Sequence, residues 1–257
     1  MSPPSSARTG AADAALVAVA HGSRDPRSAA TVAALVDEVR RQRPDLDVRL
    51  SFLDLSAPSL PEALAAAAAD GHRRAVVVPL LLGRAFHARV DLPGEVAEAA
   101  HRHPGLDIVT AAVLGPDDRL EAAAWERLAE VAGPLDDPEL GVVLAGVGSS
   151  HAPANAAVAA VAARGAARFG WAGARAGFAT ASPAVPCAIA ALRAEGARRV
   201  AVAQWILAPG LLPDRIAAAA AAAGVPVAAP LGAHPAVAEL VADRHAQAQR
   251  PAARTTG

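Results

Sequence analysis

Residues 16–24 read LVAVAHGSR, and residues 142–150 read VVLAGVGSS. In each stretch a short apolar run leads into a Gly-Ser pair, and the two pairs lie 126 residues apart. A short continuous run of Val, Leu and Ala is typical of a strand that is buried on both faces. His21 stands before the first Gly-Ser pair, whereas Val147 stands before the second. The two stretches predict a duplicated unit that keeps its chemistry in the first copy.

Further matches in the same order support the duplication. The sequence RRAVVV at residues 73–78 matches RRVAVA at residues 198–203, at an offset of 125 residues. Phe52 matches Phe178 at an offset of 126 residues. Two pairs of prolines also match at an offset of 125 residues, namely Pro58 with Pro183 and Pro61 with Pro186. Several ordered matches at nearly one period indicate an internal repeat.

Strand-like and helix-like segments alternate along the chain. Predicted strands cover 16–20, 48–53, 75–82, 108–113, 142–147, 174–179, 200–207 and 225–228. Predicted helices in the first half cover 26–43, 59–69, 92–102 and 119–131. This alternation predicts an α/β fold with parallel strands. We expect two tandem Rossmann-like modules, each with a mainly parallel four-stranded sheet flanked by helices.

The predicted domain boundaries follow from composition. Residues 1–13 are rich in Ser, Pro, Ala and Gly, which predicts a disordered tail. Residues 14–132 form the predicted N-terminal domain, which carries the active histidines. The stretch GPLDDPELG at residues 133–141 has the composition of a linker. Residues 142–250 form the predicted degenerate C-terminal domain.

Composition excludes several classes of protein. The single cysteine, Cys187, excludes an internal disulfide and a Cys-rich metal site. A net charge of −1 argues against a general nucleic-acid binder. The chain has no signal-peptide pattern, no uninterrupted apolar run of about 20 residues and no Walker-type loop. We therefore expect a cytoplasmic protein with no nucleic-acid partner, no membrane partner and no use of ATP.

Two histidines follow neighbouring predicted strands. His21 comes directly after the first strand, and His87 lies in the predicted loop after the third. Asp54 follows the second strand. Parallel sheets bind ligands beyond the carboxyl ends of their strands, so these loops should meet at one edge. Two imidazoles there could reach a divalent cation or one reacting proton. The second copy lacks both histidines.

Arginines lie in or beside the same two loops. Arg24, Arg27, Arg84 and Arg89 present planar guanidinium groups that suit carboxylates. Their clustering indicates a polyanionic substrate. The remaining histidines fit structural or surface roles, except that His151 follows the degenerate VGSS motif and is open to interpretation as a remnant of the site.

Three motifs together resemble one family. HGSR at residues 21–24, FLDLSAPSLPEAL at residues 52–64 and HARVDLP at residues 87–93 resemble the sirohydrochlorin chelatases, which are class II tetrapyrrole chelatases of the CbiX/SirB type. The resemblance is clear over residues 16–131 and fainter beyond them. It matches the two-domain fused form of the family, here with a degenerate C-terminal half.

The resemblance implies an activity and a set of site residues. Members insert Co²⁺ or Fe²⁺ into sirohydrochlorin, on the way to cobalamin or siroheme, and some relatives handle nickel. His21 and His87 then bind the incoming metal, and one of them helps to remove pyrrole protons. No organic cofactor is implied. The implied substrate-binding residues lie in the same three loops: Ser23, Arg24, Asp54, Leu82, Gly83, Arg84, Ala85, Phe86 and Arg89.

Alternatives stay open at the level of sequence. A non-catalytic carrier of a tetrapyrrole or a metal would use the same residues. A histidine phosphatase would need an arginine just before the histidine, and Ala20 stands there instead. The sequence does not choose between cobalt and iron, because both metals suit the same ligands. Two fused modules predict a monomer with an internal pseudo-dyad.

Overall fold

The structure, a computed structural model, describes residues 14–83 and 86–250, and for residues 86–91 it describes the backbone alone. The predicted tail at residues 1–13 lies outside this part of the chain. The strands are β1 (Ala14–Ala20), β2 (Val48–Phe52), β3 (Arg74–Pro79), β4 (Asp107–Thr110), β5 (Leu140–Gly146), β6 (Gly173–Phe178) and β7 (Arg199–Gln204). The helices are α1 (Pro26–Gln42), α2 (Leu60–Ala69), α3 (Phe86–Arg102), α4 (Asp118–Ala132), α5 (Ala152–Phe169), α6 (Val185–Ala194), α7 (Leu211–Ala222) and α8 (Pro235–Gln249).

Two parallel sheets repeat one topology. The first sheet has the strand order β2-β1-β3-β4, and the second has the order β6-β5-β7. Leu16 pairs with Val48 in the first sheet, and Val142 pairs with Ala174 in the second. Both partners are displaced by the 126 residues that the sequence repeat predicts. The prediction of two related α/β units with parallel sheets is confirmed.

The second sheet has three strands, so the expectation of four strands in each module is wrong. The predicted strand at residues 225–228 makes one isolated bridge, between Val202 and Val227. Pro226 has no N–H to donate to a ladder, and Pro230 follows soon after. Proline is poorly tolerated within a paired strand, which explains why pairing ends at one bridge.

Two further boundaries differ from the prediction. Helix α3 begins at Phe86, whereas the sequence predicts a start at Leu92, so His87 lies in the first turn of a helix and not in a loop. Proline is common in the first turn of a helix, but Pro93 lies inside α3. Strand β5 begins at Leu140, within the stretch predicted to be a linker.

The first helix shows how local sequence determines these elements. Asp25 caps α1 by accepting a hydrogen bond from the backbone N–H of Arg27, and Pro26 occupies the first turn. Within α1 the buried side chains recur every three to four residues, which gives one apolar stripe for packing on the sheet. These residues are Val32, Leu35, Val36 and Val39.

The last helix of each half packs on the sheet of the other half. Helix α8, from the second half, packs against β3, β4 and α1. Helix α4, from the first half, packs against β7. Helices α4 and α8 also contact each other, so the two halves exchange equivalent helices.

A continuous core joins the two sheets through this exchange. Leu16 of β1 and Val142 of β5 belong to the same cluster of buried residues, together with Trp125 of α4 and Val241 of α8. Alternate residues of the same strands face outward to separate clusters, which α2 and α3 cover on the first sheet and α6 and α7 on the second. The division of the chain at residues 132 and 142 into two domains stays a prediction. Among the described helices, none combines the length and apolar character needed to cross a bilayer.

Candidate active site

A cavity of about 790 Å³ lies between the two halves of the chain. Residues at the carboxyl ends of β1, β3, β5 and β7 line it, as expected for a ligand site in parallel α/β sheets. The walls are mostly apolar, with contributions from Val32 of α1, Val158 of α5 and Trp205 after β7. The segment at residues 206–213 forms one side of the cavity. The volume falls within the range of small-molecule and cofactor sites.

His21 lines this cavity and is exposed in it. It follows the last residue of β1, and its carbonyl oxygen accepts a hydrogen bond from the backbone N–H of Asp54 at 2.9 Å. Gly22 has φ +96°, a left-handed conformation that glycine adopts without strain. The next residue, Ser23, donates its N–H to the Oγ of Ser56, which in turn donates to the Ser23 carbonyl. The His21 turn is thus held against the loop that follows β2.

The second half keeps the same turn without the histidine. Gly148 has φ +92°, and the N–H of Thr180 donates to the carbonyl of Val147 at 2.9 Å. The first half has the equivalent features, namely the left-handed Gly22 and the hydrogen bond from the Asp54 N–H to the His21 carbonyl. Val147 is 38% exposed and lines the cavity with an apolar side chain. The second half therefore keeps the backbone geometry of this turn although valine replaces the histidine.

His151 is a residue of this cavity that the sequence left open. It lies two residues after Ser149, whose backbone N–H and carbonyl both bond to the side-chain amide of Asn155. The 126-residue offset aligns His151 with Asp25 and not with another histidine, so the repeat does not mark position 151 as a site residue. The position of His151 in the cavity depends on how the two halves pack together, which a local sequence pattern does not predict.

The predicted site residues fall into three groups. His21, Ser23, Leu82 and Gly83 line the cavity. Arg24 and Asp54 are exposed on the loops beside it but do not line it. A final group lies outside the residues, or the side chains, that the structure describes: Arg84, Ala85, Phe86, His87 and Arg89.

The backbone nevertheless relates His87 to His21. His21 follows β1, and His87 lies in the first turn of α3, which follows β3. Strands β1 and β3 are parallel neighbours, so both histidines follow strand ends at the same edge of the sheet.

Arg27 links the two halves of the chain next to residues that line the cavity. Its guanidinium bonds to Asp25 in its own half and to Asp214 of α7 in the other, with an Nη2–Oδ2 distance of 2.6 Å to Asp214. The hydrogen bonds from Arg27 lower the pKa of Asp25 below its usual value. Arg24, by contrast, forms no ion pair with any residue that the structure describes.

Three other histidines lie away from the cavity. His72 contacts Asp47 at 2.7 Å, and His234 contacts Glu126 at 3.0 Å. His245 is buried in α8. Within the described side chains, no group of three or more His, Cys, Asp or Glu residues is arranged to hold a metal ion.

Comparison with known proteins decides the family. The CbiX profile matches residues 15–131 and again residues 141–248. The chain belongs to the CbiX family. The two matches fall on the two halves of the repeat and together cover most of the chain.

Two relatives found by sequence comparison are named as sirohydrochlorin chelatases. A sirohydrochlorin ferrochelatase of Bacillus subtilis is 32% identical over 136 residues, which cover 53% of this chain and 51% of the relative. A sirohydrochlorin cobaltochelatase of Methanosarcina acetivorans is 33% identical over 79 residues, which cover 31% of this chain and 61% of the relative. The chain spans about half the length of the Bacillus relative in this match.

A solved structure shares this fold over most of the chain. The sirohydrochlorin chelatase SirB from Bacillus subtilis subspecies spizizenii, solved in complex with cobalt, superposes with a TM-score of 0.77 at 24% identity. The match covers 93% of this chain and 97% of that structure. At this identity the likeness establishes the shared two-unit fold.

Proposed function

We propose that this chain is a sirohydrochlorin chelatase that inserts Co²⁺ or Fe²⁺ into its substrate without an organic cofactor. The observation that carries the proposal is the position of His21 in an apolar cavity between the two halves. Relatives of about 30% identity bear the names of ferrochelatases and cobaltochelatases of sirohydrochlorin, which supports the substrate and leaves the metal open between the two.

The cavity walls suit a flat macrocycle with charged substituents. Apolar side chains such as Val32, Leu80 and Val158 can cover the faces of the ring and exclude water. Acidic substituents would lie toward the open rim, where Arg24 is exposed. Ser23 and Gly83 line the cavity near the ends of β1 and β3 and would contact the substrate edge.

The proposed chemistry uses imidazole in two ways. A neutral imidazole binds first-row divalent metals and also accepts a proton near neutral pH. Metal insertion replaces two pyrrole N–H protons, so the site needs a base close to the ring. His21 is held at the cavity by its turn, and His87 is proposed as its partner from the first turn of α3. The cobalamin or siroheme pathway and the cytoplasmic location stay proposals.

An insertion assay tests this function. Purified protein is incubated without oxygen with sirohydrochlorin and either Co²⁺ or Fe²⁺, and the absorption change of the macrocycle is followed. We expect insertion faster than the protein-free reaction, and a loss of at least about 100-fold in His21→Ala and His87→Ala, the range expected for an acid–base residue. His101→Ala, at the exposed end of α3, is the matched control and should retain the wild-type rate.

The same assay separates a chelatase from a carrier. Tight binding of sirohydrochlorin without accelerated insertion of either metal would reject the chelatase and favour the non-catalytic carrier. Equal rates for wild type and His21→Ala would also reject the proposed role of the cavity.

A further inference from the structure

A second histidine lines the described part of the cavity and comes from the second half of the chain. His151 lies at the N-terminal boundary of α5, and its exposed side chain lines the same cavity as His21. Two titratable side chains therefore line the described part of the cavity, and each half of the chain supplies one. The second half contributes an ionisable group as well as an apolar wall.

The cap of α5 does not use the His151 imidazole. Its counterpart Asp25 caps α1 by accepting the backbone N–H of Arg27 at 2.9 Å. His151 keeps the backbone part of that turn, since its N–H donates to Ser149 Oγ at 3.0 Å, as the N–H of Asp25 does to Ser23 Oγ. The imidazole forms no capping bond and no hydrogen bond to any residue that the structure describes.

Asn155 takes over the support of this turn. Its side-chain amide accepts from the Ser149 N–H at 2.9 Å and donates to the Ser149 carbonyl at 2.8 Å. In the first half, Ser56 makes the same two bonds to Ser23 from another loop. Because Asn155 holds the turn, the side chain at position 151 can change without loss of the local structure.

We propose that His151 accepts one of the two pyrrole protons during metal insertion, a role that rests on the proposed function. In this step the pyrrole N–H bond breaks and its electron pair stays on the nitrogen, which then bonds to the divalent metal. The proton moves to a ring nitrogen of His151 and forms an imidazolium. His151 is exposed, so the proton then passes to water and restores the neutral ring.

Steady-state insertion by His151→Asn tests the role. Asparagine is a favourable helix N-cap, so α5 should be preserved, but its amide accepts no proton at neutral pH. We expect kcat to fall by about 100-fold, the lower end of the usual effect of an acid–base group, while KM for sirohydrochlorin and for the metal stays within about twofold. The control His101→Ala should keep the wild-type kcat.

A second variant distinguishes a proton acceptor from a structural residue, and the KM for the metal distinguishes it from a metal ligand. In His151→Gly, added imidazole should restore part of kcat in proportion to its concentration. A wild-type kcat in His151→Asn would overturn the proposal, and so would a rise in KM for the metal without a fall in kcat. If wild type inserts no metal, the proposed function fails and this role fails with it. If His21→Ala and His87→Ala lose activity and His151→Asn keeps the wild-type kcat, this role alone fails.

Discussion

A Cβ atom built on Gly22 would lie against the carbonyl oxygen of Asp54, closer than 3.0 Å. The backbone N–H of Asp54 also donates to the carbonyl of His21 at 2.9 Å. The turn that presents His21 is therefore in direct backbone contact with the loop after β2. This close approach requires a residue without a side chain.

Gly22→Ala should disrupt this contact. The new methyl group collides with backbone and the φ of +96° is unfavourable for alanine, so the free energy of unfolding should fall by more than about 1 kcal/mol. Insertion should also slow, because His21 moves with its turn. Urea denaturation and the insertion assay measure the two effects.

Gly105→Ala is the matched control for this substitution. A Cβ atom at Gly105 would have no neighbouring atom within 4 Å, so the free energy of unfolding should change little. If the Gly22→Ala protein were as stable as the Gly105→Ala protein, the contact between the His21 turn and the loop after β2 would contribute little to the free energy of unfolding.

Most of the fold follows from local sequence, and its assembly does not. The apolar runs at β1 and β5 predict doubly covered parallel strands, and their registers match the 126-residue repeat. The sequence does not show which helix covers which face of a sheet. Helices α4 and α8 both bury apolar side chains in the shared core, and an apolar stripe does not specify which sheet it covers, so the exchange is not evident from the sequence.

The same limit applies to the site. His21 is predictable because it directly follows a buried strand in a parallel sheet. His151 follows an equivalent strand, but it aligns with a capping aspartate, and its access to the cavity depends on the contact between the halves. Arg27 belongs to the arginine cluster from which the sequence predicts a polyanionic substrate, and the structure pairs it with Asp25 and Asp214. The Asp214 partner comes from the other half, so local sequence does not reveal this pair.

Arg244 on α8 should contribute to the attachment of this exchanged helix. Its guanidinium donates to the carbonyls of Val113 and Leu114 at 3.0 and 2.8 Å and to Asp117 at 3.3 Å. Arg244→Met keeps the aliphatic length but removes these donors. Because hydrogen bonds from a charged donor contribute more than neutral ones, the free energy of unfolding should fall by about 2 kcal/mol in urea denaturation.

The ion pair between Arg198 and Glu139 provides the comparison, with side chains 77% and 49% exposed. Arg198→Met should change the free energy of unfolding by less than about 0.5 kcal/mol. Equal effects of the two substitutions would contradict a special role for Arg244 in holding α8.

His245 should make stability depend on pH in the mildly acidic range. It is 1% exposed, and burial holds the pKa of its imidazole below the usual value. Below a pH of about 6.5 the unfolded chain then binds a proton that the folded chain does not, so stability falls as the pH falls. The contribution is fully present above that pH, and its slope cannot exceed about 1.4 kcal/mol per pH unit for one group.

Denaturation curves between about pH 7.5 and 5 measure this effect. His245→Gln should flatten the fall in unfolding free energy across that window, because the titrating group is gone. His101→Gln removes an exposed histidine and should leave the wild-type slope. A slope that is unchanged in His245→Gln would assign the pH dependence to other groups.

The exchange of α4 and α8 predicts that neither half is stable alone. Residues 14–133 without α8 leave the α8-facing surface of the first sheet uncovered, and α4 then has no β7 to pack against. Leu120, Ala124 and Leu128 of α4 are almost completely buried in the intact chain, so their exposure would remove a large apolar contribution to stability. We expect a 14–133 fragment to show no cooperative urea transition as a monomer, whereas mixing it with a 134–250 fragment should restore one. A monomeric 14–133 fragment with a sharp transition would mean that the exchanged helices add little to the stability of each half.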